Sequence, residues 1–186
     1  MEATDIRVGA GLTLLLGGAR SGKSDLAVSL GKTFEGDVVL AATAEAGDDD
    51  MAARITAHQA DRPAEWGLVE APLLNATTID EIDPSALVII DCLTLLVSNL
   101  MFADKTDEQI AQHASVLSHV LVSRRAPTLV ISNEVGLGVH PNSELGRRYR
   151  DVLGRYNKAI AARAETTLFV AAGRAMPLQK VSASWT

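Results

Sequence analysis

The segment Leu12–Ser24 constrains this chain more than any other, because an apolar run leads directly into a glycine-rich loop that ends in Gly-Lys-Ser. Gly17 and Gly22 enclose four residues and are followed by Lys23 and Ser24, which is the Walker A spacing. In such a loop the backbone N–H groups point at phosphate oxygens, the lysine reaches the β- and γ-phosphates, and the serine hydroxyl ligates Mg²⁺. The strand pattern before the loop and the helical pattern from about Lys23 favour this interpretation over a glycine-rich turn without a ligand.

Length, composition and charge restrict the chain to a globular protein. Of its 186 residues 47% are hydrophobic and 22% charged, which suits a buried core and argues against disorder. The net charge of −6 argues against nucleic-acid binding, since that requires a basic face. No apolar segment approaches the roughly 18 residues of a membrane span. With no recognisable signal peptide and a single cysteine, Cys92, we expect a cytoplasmic protein.

Apolar runs alternate with helical patterns, which predicts an α/β fold with a mainly parallel sheet flanked by helices. After the loop strand, strands are predicted at Val38–Ala42, Trp66–Glu70, Leu87–Asp91, Thr128–Ser132 and, as the last buried strand, Thr166–Ala172. Helices are predicted at Asp25–Lys32, Asp48–Gln59, Cys92–Phe102 and Leu145–Ala164. A further helix is predicted to begin at a capping box formed by Thr106 and Gln109. We expect residues 12–186 to form one domain, residues 1–11 a loosely attached extension, and residues 75–85 a turn-rich segment.

Ligands of a parallel α/β sheet bind beyond the carboxyl ends of its strands. Polar or glycine-rich segments follow four of the predicted strands, namely Gly17–Ser24, Thr43–Glu45, Asp91 and Asn133–Glu134. Asp91 closes a buried apolar run, and on a strand neighbouring the loop strand it would share Mg²⁺ with Ser24. The alternative is an acid that only caps the following helix.

His58 is the candidate nucleophile. Arg54 lies one helical turn before it and Arg62-Pro63 follow shortly after, so that cations can hold a triphosphate while an imidazole nitrogen attacks phosphorus. The alternative is a histidine near the end of an amphipathic helix that is solvated or a minor member of the core. A basic stretch on the last predicted helix either meets phosphate or another subunit or is a solvated face, and comprises Arg147, Arg148, Arg150 and Arg155.

Further motifs accompany the loop at 17–24: Ala42-Thr43, residues 51–55 with His58, Arg62-Pro63 and Trp66, residues 91–94, Asn133–Gly136 with Pro141, and Arg150-Asp151 with Gly154 and Asn157. Together they extend from about Leu12 to Gly173 and resemble the bifunctional adenosylcobinamide kinase/adenosylcobinamide-phosphate guanylyltransferase family of cobalamin biosynthesis. Some relatives have two adjacent histidines where this chain has Ala57-His58.

The resemblance implies a RecA-like P-loop NTPase fold, two successive reactions and a homotrimer. ATP or GTP first phosphorylates the aminopropanol hydroxyl of adenosylcobinamide. GTP then guanylylates a histidine, which falls on His58, and the GMP passes to adenosylcobinamide phosphate to give adenosylcobinamide-GDP. Asp91 or Glu134 would orient or deprotonate the hydroxyl in the kinase step.

The nucleotide contacts implied for this chain are Gly17, Gly18, Ala19, Arg20, Ser21, Gly22, Lys23, Ser24, Thr43, Ala44, Glu45, Gln59, Ala60, Asp61, Arg62, Glu70 and Asp91, with Ser24 and Asp91 as Mg²⁺ ligands. Two other functions remain as alternatives. One is a P-loop small-molecule kinase without nucleotidyl transfer, and the other is a nucleotide-binding regulatory module.

Overall fold

The computed structural model describes residues 8–45 and 63–182, and within these ranges the chain forms seven strands and five helices. The strands are β1 (Leu12–Leu16), β2 (Val38–Ala42), β3 (Gly67–Glu70), β4 (Leu87–Asp91), β5 (Thr128–Ile131), β6 (Thr166–Ala171) and β7 (Arg174–Pro177). The helices are α1 (Lys23–Lys32), α2 (Ala76–Asp80), α3 (Leu93–Phe102), α4 (Asp107–Ser123) and α5 (Glu144–Arg163). The predicted helix Asp48–Gln59 lies outside the described residues.

All seven strands belong to one sheet with the order β3-β2-β4-β5-β1-β6-β7. Every pairing is parallel except that of β6 with β7. The mainly parallel sheet is therefore confirmed. The expectation that Asp91 ends a strand neighbouring the loop strand is wrong, because β5 lies between β1 and β4.

Alternating side chains of the strands form a core on each face of the sheet. Leu14 on β1 joins the cluster that contains helices α3, α4 and α5, whereas Leu15, the next residue, joins the cluster that contains α1. The same alternation separates Ile89 from Ile90 on β4. The result is a sheet covered by helices on both faces, as continuous apolar strands require.

Helix α4 shows how local sequence sets an element boundary. The Thr106 side chain accepts from the Gln109 N–H, and the Gln109 side chain accepts from the Thr106 N–H, so the predicted capping box is confirmed. The residues predicted to share its apolar face are all buried, namely Ile110, Ala114, Leu117 and Leu121.

Three irregular segments contain structure that the sequence pattern did not predict. Residues 75–85 contain helix α2, which begins where the Asn75 side chain accepts from the Thr78 N–H and buries Ile79. A further strand, β7, follows β6 and pairs with it antiparallel. Of the predicted extension, residues 1–7 lie outside the described residues, whereas residues 8–11 are attached to the sheet domain, since the Gly11 N–H donates to the Glu165 carboxylate at 3.1 Å.

Candidate functional site

The loop between β1 and α1 has the backbone conformation that its glycines permit. Gly17 and Gly22 have φ angles of 155° and 97°, and Arg20 adopts 56° between them. A Cβ at Gly17 would meet the Val170 carbonyl oxygen and the Ser21 hydroxyl, so only glycine fits there. Gly22 is the N-cap of α1 and supplies no side-chain cap, which leaves the first N–H groups of the helix available to a phosphate.

Lys23 lies inside this loop with only 6% of its surface exposed. Its Nζ donates to the carbonyl oxygens of Gly17 at 3.1 Å and Gly18 at 2.6 Å, and to Ser21 Oγ at 3.3 Å. Burial lowers the pKa of Lys23, while Cys92 and Asp91 act in the opposite direction. Phosphate oxygens are stronger acceptors than these carbonyls, so the ammonium group can exchange its carbonyl partners for the oxygens of a bound triphosphate.

Asp91 and Thr43 lie together, because β4 and β2 are adjacent strands that end at the same level. The Thr43 N–H donates to the Asp91 carbonyl oxygen at 3.0 Å. The fully buried Thr43 hydroxyl donates to the Cys92 carbonyl oxygen at 2.7 Å and accepts from the Cys92 N–H at 2.8 Å. Thr43 therefore fixes the turn that carries Asp91, and its direct contact with a nucleotide stays a prediction.

Glu134 lies at the base of the loop, just beyond the end of β5. Its N–H donates to the Gly17 carbonyl oxygen at 3.2 Å, and its Oε1 accepts from the Gly136 N–H at 2.8 Å. Because β5 separates β1 from β4, this carboxylate is attached to the strand between the loop and Asp91. Both candidate acids thus lie at the carboxyl edge of the sheet.

Polar side chains of helices α3 and α5, which the sequence analysis did not identify, donate hydrogen bonds to the backbone at this edge of the sheet. Asn99 on α3 donates to the carbonyl oxygens of Thr43 and Pro72, both at 2.9 Å. The Tyr149 hydroxyl on α5 donates to the Thr94 carbonyl oxygen at 3.1 Å. An asparagine within the apolar helix α3 was a usable signal, since a polar group on a buried helix requires a partner.

A cleft of ≈ 490 Å³ opens beside Glu134 and is lined mainly by α5 residues, including Arg150, Asp151, Arg155 and Lys158. Arg150 donates to Asp151 and to His140 Nδ1, both at 2.8 Å.

Two of the four predicted basic residues, Arg148 and Arg155, both pair with Asp107 at the start of α4. Arg147 donates to the carbonyl oxygens of Pro141 and Asn142. These arginines therefore mostly hold elements together, and none of the four is a simply solvated charge.

Several predicted nucleotide contacts are more distant from the loop or outside the described residues. Glu70 ends β3, and four strand spacings, about 19 Å, separate it from β1. A nucleotide with its phosphates on the loop would have to extend along the carboxyl edge to reach it. Ala44 and the exposed Glu45 follow β2 along this route. The remaining predicted contacts Gln59, Ala60, Asp61 and Arg62, with the predicted nucleophile His58, lie outside the described residues.

A Walker A loop after β1, an acid at the end of β4 and an intervening strand β5 define a P-loop NTPase of the RecA-like type. Solved structures agree on this fold. A Pyrococcus horikoshii OT3 protein superposes with a TM-score of 0.57 at 8% identity over 93% of this chain and 88% of that chain. An ATPase of the type III secretion system of pathogenic bacteria gives a TM-score of 0.54 at 12% identity over 86% of this chain and 51% of that chain.

Sequence comparison gives the particular family. The family model described as "Cobinamide kinase / cobinamide phosphate guanyltransferase" matches residues 13–178. The bifunctional adenosylcobalamin biosynthesis protein CobP of Pseudomonas aeruginosa is 42% identical over 89% of this chain and 96% of its own length. The corresponding CobU of Escherichia coli is 37% identical over 87% of this chain and 96% of its own length. The chain belongs to this family of bifunctional enzymes, which confirms the resemblance.

In the ranges 8–45 and 63–182, no helix is long and apolar enough to cross a membrane. The same ranges contain no group of three or more His, Cys, Asp and Glu side chains that could hold a metal ion.

Proposed function

We propose that this protein phosphorylates the aminopropanol hydroxyl of adenosylcobinamide with ATP or GTP. It then transfers GMP from GTP to adenosylcobinamide phosphate, which gives adenosylcobinamide-GDP. The match to the family over residues 13–178 supports both reactions. The single observation that carries the proposal is the Walker A loop, in which Lys23 is buried, Glu134 is hydrogen-bonded to Gly17, and Asp91 ends the second strand along from β1.

In the kinase step, the triphosphate binds to the backbone N–H groups of the loop and the start of α1. Lys23 exchanges its carbonyl partners for phosphate oxygens and balances the charge that develops on them. Ser24 and Asp91 offer the hydroxyl and carboxylate oxygens that Mg²⁺ prefers, and the ion supplies further charge neutralisation when it is bound. Glu134, just beyond the end of the intervening strand β5, orients or deprotonates the attacking hydroxyl.

In the second step, GTP reacts with the imidazole of His58. A P–N bond forms between the imidazole and the α-phosphorus, and pyrophosphate leaves. With the covalent intermediate, two easier displacements replace a single displacement in which two bulky anions would have to react directly. This step rests on the resemblance and on the cations Arg54 and Arg62 near His58 in sequence.

Incubation with α-labelled GTP and Mg²⁺ tests the intermediate. We expect acid-labile label on the protein, loss of that label in His58→Ala, and retention of it in His119→Ala, whose histidine is exposed on α4. Label that persists in His58→Ala would exclude this nucleophile. If γ-phosphate transfer to adenosylcobinamide occurs without any covalent label, the protein is a kinase without nucleotidyl transfer.

The proposal includes a cytoplasmic homotrimer, which the resemblance supports. Light scattering of the purified protein tests the assembly, and a monomeric mass would exclude it.

A further inference from the structure

The cleft beside Glu134 is connected to the nucleotide-binding loop by one backbone hydrogen bond. Glu134 lines the cleft, and its N–H is bonded to the carbonyl oxygen of Gly17, the first residue of the loop. The cleft therefore lies beside the loop that would hold a triphosphate, which is where an acceptor of the γ-phosphoryl group has to bind.

One face of helix α5 forms the wall of the cleft. Asp151, Gly154, Arg155 and Lys158 follow the i, i+3, i+4, i+7 spacing that places residues on one helical face. A Cβ at Gly154 would meet nothing within 4 Å, so the wall is open at this point. The cleft can therefore admit a group between its charged side chains.

The cations of the cleft differ in whether they already have partners. Arg155 donates to Asp107 at 2.6 Å, and Arg150 donates to Asp151 at 2.8 Å. Lys158 is exposed and has no hydrogen bond or ion pair with any part of the chain that the structure describes. It is therefore the cation that can pair with an incoming anion without first breaking a contact.

We propose that this cleft binds the phosphate monoester of the phosphorylated acceptor, with Lys158 as its principal cationic contact. This inference rests on the proposed function. The acceptor reacts twice at the same end, first as a neutral hydroxyl and then as a phosphate dianion. Lys158 gains a charge-assisted hydrogen bond only with the second form, so the cleft favours the intermediate over the starting alcohol.

The second reaction uses the phosphate held in this way. One of its oxygens forms a P–O bond to the phosphorus of the guanylyl group. The P–N bond to the histidine breaks, and its electron pair returns to the imidazole. Lys158 stays paired with the remaining oxygens and keeps the dianion from being lost to solvent between the two reactions.

The variant Lys158→Gln tests the cleft in the intact enzyme. We expect the KM for adenosylcobinamide phosphate in guanylyl transfer to rise about 10- to 100-fold. The KM for adenosylcobinamide in the kinase step should change by less than about 3-fold, and protein labelling by GTP should be unchanged. Lys158→Arg should restore most of the affinity. Arg163→Gln removes one charge from the exposed end of the same helix, outside the cleft, and should leave both KM values unchanged.

Direct titration separates failure of the cleft from failure of the proposed function. Adenosylcobinamide phosphate is titrated into the wild-type protein and into Lys158→Gln without GTP, so that neither reaction is needed. Equal affinities, or an equal rise in both KM values, would overturn the cleft as the phosphate site even if GTP labels the protein. Weaker binding by Lys158→Gln supports it, whether or not the wild-type protein becomes labelled.

Discussion

The hydroxyl of Ser132 donates a 2.6 Å hydrogen bond to the side-chain oxygen of Asn157. Both residues are buried, and the Asn157 amide also donates to the Asn133 carbonyl oxygen at 3.0 Å. Through the Asn157 side chain, helix α5 thus holds the first two residues that follow β5. The next residue, Glu134, is bonded to Gly17, so this contact positions the acid against the nucleotide-binding loop.

We expect Asn157→Ala to lower the free energy of unfolding by about 2 to 4 kcal/mol, because it leaves the Ser132 hydroxyl and the Asn133 carbonyl without their partner. Urea unfolding followed by circular dichroism measures the loss. Asn142→Ala, at an exposed position, should stay within about 0.5 kcal/mol of the wild type. Similar values for the two variants would show that the buried contact adds no net stability.

Lys23 should be essential for activity and dispensable for stability. Because burial lowers its pKa, the folded state holds a charged lysine less readily than the unfolded chain does, and the charge disfavours folding at neutral pH. We therefore expect Lys23→Met to lower kcat/KM for phosphoryl transfer at least about 100-fold while the urea midpoint stays equal or rises. Lys32→Met, at the exposed end of α1, is the control for loss of a lysine. A fall in the midpoint parallel to the loss of activity would contradict this.

Local sequence predicted the fold wherever a pattern was self-contained. The apolar run Leu87–Asp91 is β4, and the capping box at Thr106 begins α4. Helix α2 has only five residues and no periodicity, so its one signal was the N-cap Asn75. The sheet order depends on pairings between residues far apart in sequence, which no local pattern encodes. Strand β7 includes Pro177 and lies at the exposed edge, so it lacks the apolar pattern of a buried strand.

The candidate site likewise contains parts that the local sequence predicts and parts that depend on the packing of distant segments. The loop was predictable because the spacing from Gly17 to Ser24 carries its own chemistry. The contact of Glu134 with Gly17 was not, because it forms only when β5 inserts beside β1. Asn157 matched the resemblance, but its bond to Ser132 depends on how α5 packs on the sheet.

The side chain of Arg124 holds the segment between helix α2 and strand β4. Its guanidinium group donates to four backbone carbonyl oxygens in and after helix α2, at distances from 2.7 to 3.4 Å, namely those of Ile79, Ile82, Asp83 and Ala86. A lysine cannot reproduce this planar set of donors. We expect Arg124→Lys to reduce the free energy of unfolding by about 1 to 3 kcal/mol in urea unfolding.

Arg125, the adjacent and exposed residue, provides the matched control for this substitution. Arg125→Lys should change the free energy of unfolding by less than about 0.5 kcal/mol. If Arg124→Lys were equally neutral, a single ammonium group would suffice at this position and the forked geometry would be unimportant.

His113 links α4 to α5, because its Nδ1 lies 2.9 Å from the Tyr156 hydroxyl oxygen, and it also has a hydrogen bond with the backbone of Leu74. Burial lowers the pKa of His113 from its usual 6.5, and the hydrogen bond with Leu74 opposes this in part. The unfolded chain therefore binds a proton at a higher pH than the folded chain does. The contribution of His113 to stability is therefore complete above about pH 6.5 and decreases as the pH falls from there towards the folded-state pKa.

Urea midpoints at pH 7.5 and pH 5.5 measure this dependence. We expect the wild-type midpoint to be lower at the acidic pH, and His113→Gln to lose part of that difference because glutamine does not titrate. His119→Gln, which removes an exposed histidine from the same helix, should retain the wild-type difference. If both variants kept the full difference, its origin would lie in other groups and His113 would not take up a proton on unfolding in this range.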